Sequence, residues 1–83
     1  SEACENIKGC SVYTNQLLRS SSSVGANIHE AKYAQSRADF INKMEIALKE
    51  TYETEYWLEV LYKLYHRYNS MVLRHSQNHL FLC

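Results

Sequence analysis

The chain lacks proline altogether and has two glycines among its 83 residues. Two glycines are too few for a dinucleotide fingerprint or a phosphate-cradling loop, and the absence of proline leaves helices free to run on. It also lacks a charge excess, since nine Lys and Arg balance nine Asp and Glu, which argues against a surface basic all over. No apolar run exceeds three or four residues, far short of the roughly 18–20 a bilayer requires. The opening Ser-Glu-Ala-Cys-Glu carries no basic-then-apolar targeting pattern, so the chain is read as cytoplasmic. Cysteine is scarce and odd in number: Cys4, Cys10 and Cys83 leave at least one thiol unpaired or paired between chains, and no disulfide scaffold is expected. What is present is 46% hydrophobic residues and ten aromatics, seven of them Tyr, too much apolar content for a disordered tail.

Residues 1–11 show no convincing period and read as a lead-in. From 12 to 33, Leu17, Ser21, Val24, Ile28 and Ala31 recur at three- and four-residue steps and predict a helix with that face inward. Its middle, with Ser21, Ser22, Gly25 and Ala26, is slim enough for another helix to approach, at a propensity cost of about 1 kcal/mol for the glycine. Ser36-Arg37-Ala38-Asp39 has the form of a capping box and predicts the start of the next helix.

That helix is predicted over 37–66, with Phe40, Met44, Ala47, Thr51, Leu58, Leu61 and Tyr65 on the packing face and Lys43, Glu50, Glu53 and Lys63 largely opposite. Glu45–Lys49 and Glu59–Lys63 are Glu-before-Lys pairs at four-residue spacing. Ile41, Leu48, Tyr52, Tyr56, Trp57, Val60 and Tyr62 widen the apolar surface beyond what two helices in a monomer can cover, so part of it is expected to meet another subunit. A candidate short helix over 70–82, with a poor period, completes the reading. The fold class predicted is all-α, an up-and-down helical bundle in a single domain.

Chemistry-bearing constellations are sparse. His75, His79 and Cys83 fall on one helical arc, but no acid lies in 71–83 to orient the imidazoles, and no metal site or cofactor is expected. Cys10 and the serines at 20–23 have no base placed to activate them, so no catalytic residue is assigned and the chain is read as a non-enzyme. Charge is segregated more clearly. Residues 1–30 carry a net −1, residues 31–60 a net −2, and residues 61–83 a net +3 from Lys63, Arg67 and Arg74 with no acid. These cations interleave with Tyr62, Tyr65, His66 and Tyr68, a combination that suits phosphates and stacked bases. Arg19, Asn27 and Glu30 lie close to the packing face of the first helix, where polar groups need partners, and are expected either to face solvent or to join a buried or intersubunit network.

The run from Gln16 to Ala31, with its Gly25-Ala26-Asn27-Ile28 core, then Gln35 to Ile41, Ile46 to Glu50 and Tyr52-Glu53-Thr54-Glu55-Tyr56-Trp57-Leu58, resembles the four-helix-bundle proteins encoded in 23S ribosomal RNA intervening sequences. The likeness spans Asn15 to Lys63 without a gap. A related branch is the accessory variability proteins of diversity-generating retroelements, which work beside a reverse transcriptase. The resemblance implies a bacterial four-helix bundle without enzymatic activity, assembled as a ring-like homo-oligomer, a pentamer. Set against that pattern, the first helix reads as missing or shortened and the stretch after Lys63 as altered.

The leading functional expectation is therefore an oligomeric helical scaffold that contacts structured RNA or DNA through Lys63, Arg67 and Arg74, with Arg19, Lys32 and Arg37 as further candidates. The alternative is a protein–protein adaptor without nucleic-acid contact. Candidate interface residues, toward another copy or a protein partner, are Arg19, Asn27, Glu30, Tyr52, Tyr56, Trp57 and Tyr62.

Overall fold

The computed structural model describes residues 9–82, with side chains as far as Gln77. Among these residues the fold is two helices, α1 (Cys10–Ala31) and α2 (Arg37–Leu82), joined by the five residues 32–36. So short a connection turns the chain back on itself and makes the helices antiparallel neighbours. The result is an elongated hairpin of 70 × 16 × 16 Å. Its long dimension is the length of α2, since 46 residues rising about 1.5 Å each span roughly 69 Å. A four-helix bundle is not what the described residues form. No helix among them is long and apolar enough to cross a membrane.

Gly9 starts α1 from a left-handed conformation, φ 84°, that a side chain would strain. The helix begins at Cys10 rather than Val12 and closes at Ala31 rather than Tyr33, where Lys32, Tyr33 and Ala34 donate backbone bonds three residues back and tighten the exit. Cys10 is buried and disulfide-bonded. The start of α2 follows the capping prediction: Ser36 Oγ accepts the Asp39 N–H at 3.1 Å. The returning carboxylate takes the Gln35 N–H at 3.3 Å, one residue earlier than the ideal box.

The predicted end near Tyr65 and separate helix over 70–82 are replaced by one continuous helix through Tyr68-Asn69-Ser70. Nothing between Arg37 and Leu82 forbids this. There is no Pro or Gly, and Asn and Ser each cost only tenths of a kcal/mol in a helix.

The seam between the helices also differs from the predicted faces. On α1, Cys10, Tyr13, Leu17, Ser20, Val24, Asn27 and Ala31 turn inward, an alternation of three- and four-residue steps. On α2 the matching set is Lys43, Ala47, Glu50, Thr54, Trp57 and Leu61. Leu17, Val24, Ala31, Ala47 and Leu61 lie inward as predicted, whereas Ser21, Ile28, Phe40, Met44, Leu58 and Tyr65 are exposed. Lys43, Glu50 and Glu53, predicted opposite, border the seam instead. Small side chains explain the choice. Ser20 (0% exposed), Ala31 and Ala47 (3% each) bring the two backbones close, and bulkier apolar residues would hold them apart.

Candidate functional site

Four groups of contacts pin the seam. At its centre the Thr54 hydroxyl donates to Ser20 Oγ at 2.8 Å, with the Glu50 carbonyl as its alternative acceptor at the same distance, while Ser20 reaches the Leu17 carbonyl at 3.2 Å. No buried side-chain polar atom is left unpaired among the described residues. Beside this pair, the Arg19 guanidinium donates to Gln16 Oε1 at 3.0 Å, to Glu50 Oε2 at 3.3 Å and to Glu53 Oε1. The bond to Glu53, with the Glu53 and Glu50 charges, holds the Arg19 pKa above its ordinary value. Toward the hairpin bend, Lys43 Nζ meets Glu30 Oε2 at 2.9 Å, and that bond and charge raise the Lys43 pKa, with Asp39 adding a smaller push.

At the other end, Trp57 stacks on Tyr13 with ring centroids 5.8 Å apart and takes Tyr56 edge-on at 4.9 Å. Its indole N–H points to Glu53 Oε1 at 3.4 Å, which ties the aromatic cluster to the Arg19 clamp.

These contacts place the interface candidates in two groups. Arg19, Glu30 and Trp57 are engaged across the hairpin, and Asn27 turns back on its own helix, donating to the Ser23 carbonyl at 2.8 Å. The polar network anticipated around Arg19 and Glu30 is thus made within one chain, between α1 and α2. Tyr52, Tyr56 and Tyr62 remain exposed on α2.

The basic candidates are not gathered into one patch. Lys32 and Arg37 flank the bend, while Lys63 stands about level with the start of α1 and Arg67 and Arg74 follow it along α2. From Arg37 to Arg67 is about 45 Å along the helix. The distal three are exposed and share an arc of about 40°, turned away from the seam. Lys63 shares its charge with Glu59 at 3.2 Å, and no acid follows Glu59 in the sequence. His66 stacks on Tyr62 with centroids 5.5 Å apart at the edge of this stripe.

The seam side of α2 differs from the face its apolar spacing predicts. The usable signals were Ser20, Ala31 and Ala47 at 3–4 spacing with their neighbours, and the charge match of Arg19 with Glu50 and Glu53 and of Glu30 with Lys43. Of the metal-spaced set, His79 and Cys83 lie outside the described side chains. No group of three or more His, Cys, Asp or Glu suited to a metal occurs among the described residues.

A family model described as 23S rRNA-intervening sequence protein matches residues 5–77. Comparison with curated proteins and with solved structures returns no match.

Proposed function

The chain belongs to the 23S rRNA-intervening sequence protein family, and on that premise we propose that it is a non-enzymatic cytoplasmic scaffold that associates with copies of itself and holds structured RNA or DNA by its phosphates. The helical bundle is completed between chains: one chain contributes a hairpin, and copies cover the apolar surface the hairpin leaves open. The nucleic-acid contact falls to Arg67 and Arg74, with Lys63 at the inner border of the stripe. The observation that carries this reading is the position of those cations, exposed on a helix face turned away from α1, in a stretch of sequence that carries no acid after Glu59. A neutral chain with one basic end binds phosphates locally, and its affinity is steeply dependent on salt.

The test is binding to a structured RNA across a salt series. Each phosphate contact contributes roughly 0.7–0.9 to the slope of log affinity against log salt, so Arg67→Glu with Arg74→Glu flattens it by roughly 1.4–1.8. No binding at low salt overturns the nucleic-acid part. Unchanged slopes in the double variant reassign the contact to other residues.

A further inference from the structure

The tyrosines that interleave with the distal cations in the sequence do not lie with them in space. Tyr62, Tyr65 and Tyr68 stand about 100–160° around α2 from Lys63. The aromatics that share the cationic side come from the half clasped by α1. Lys49, Tyr52, Tyr56, Lys63, Arg67 and Arg74 fall within an arc of about 60° opposite Thr54, in a row about 38 Å long, and all six are exposed. The Tyr56 ring is steadied by its edge-on contact with Trp57, which the Tyr13 stack in turn anchors to α1. Glu59 borders the row and pairs with Lys63 at 3.2 Å, and Glu45 stands one turn before it begins. The exposed apolar residues Phe40, Met44 and Leu58 lie about 80° or more from its edge, so another copy can cover them without covering the row.

We infer that this row takes an unpaired stretch of nucleic acid, with bases stacked on Tyr52 and Tyr56 and phosphates held by Lys63, Arg67 and Arg74, and with Lys49 at the far end. Cations alone would serve a duplex and a single strand alike. Rings set among them favour the unpaired strand, because bases inside a duplex cover one another's faces and only splayed ones are free to stack on a side chain. Tyrosine suits the task, since it offers a large flat surface and has few rotatable bonds to immobilise. Stacking is tolerant of base identity, so the preference is for unpaired over paired nucleotides and not for a sequence. The inference rests on the nucleic-acid contact proposed above and deepens it, naming the form of nucleic acid and adding two tyrosines to the contact.

Binding of the unaltered chain to a mixed-sequence single-stranded RNA of about a dozen nucleotides, and to the blunt duplex of the same sequence, tests it. The single strand should bind more tightly. Tyr52→Leu and Tyr56→Leu should each weaken single-strand binding about 5-fold or more and leave duplex binding unchanged. Both should keep the salt dependence of the unaltered chain, because a stacked base releases no counterions. Tyr52→Phe and Tyr56→Phe, which keep the ring, should bind as the unaltered chain does. Tyr52 lies about 140° around the helix from Trp57, so its variant reads stacking apart from the aromatic cluster that holds the seam. Equal affinity for the duplex, or leucine variants that hold the single strand as tightly as the unaltered chain, overturns the inference and leaves phosphate binding standing. No binding of either RNA at low salt overturns both.

Discussion

The two halves of α2 have the same backbone and different reasons for it. From Arg37 to about Tyr62 the helix is clasped by α1 through the Ser20–Thr54 contact, the Arg19 and Lys43 ion pairs and the Tyr13–Trp57 stack. Beyond Tyr62 α1 no longer lies alongside, and the described side chains from Met71 to Gln77 are all exposed. An isolated helix of that length is marginal in water, so among the described residues the distal half draws its order from continuity with the clasped half. The lesson is that one helix can be cooperative with the fold at one end and nearly independent of it at the other.

The largest contrast should come from the same substitution in each half. Proline inside a helix costs about 3 kcal/mol or more. Thr51→Pro should abolish cooperative thermal unfolding. Ser70→Pro should remove distal helix content seen by circular dichroism while leaving the main transition in place. Equal losses of Tm in the two variants would show that the distal half is held as firmly as the clasped one.

A smaller effect tests the closeness of the seam. Ala47→Phe should destabilise by about 1–3 kcal/mol through overpacking where the backbones approach. The matching change Ser70→Phe on the exposed distal half should stay within about 0.5 kcal/mol in denaturant unfolding.

The smallest effect is electrostatic. The Lys43 pKa is raised in the folded chain, so its pairing with Glu30 stabilises fully below the ordinary lysine value of 10.5 and is lost as pH rises through the folded value. Tm should therefore fall above pH 10.5, and Lys43→Met should remove part of that fall. Because the pair is partly exposed, the change is modest and salt-dependent. An identical alkaline profile in the variant would assign the loss to other groups.

How much of this was legible in the residues varies along the chain. The two helices, the Ser36 cap and the existence of an excess apolar surface follow from spacing, because helical period and hydrogen-bonding chemistry are local properties. The helix end near Tyr65 was not legible, since Asn69 and Ser70 only weaken a helix and nothing compels a break. Nor was the seam. Phe40, Met44, Leu58 and Tyr65 form the more apolar stripe, yet α1 sits on the neighbouring side with Ala47 and Thr54.

By itself, then, the sequence determined that this protein is helical, that its charges are segregated and that two helices cannot cover its apolar residues. Only the tertiary structure decided which side of α2 receives α1. That choice depends on how closely two particular surfaces fit, with Ser20 and Ala31 against Ala47 and Thr54 and with Arg19 between two carboxylates. Complementarity between surfaces is a property of a pair of helices, and neither helix carries it alone.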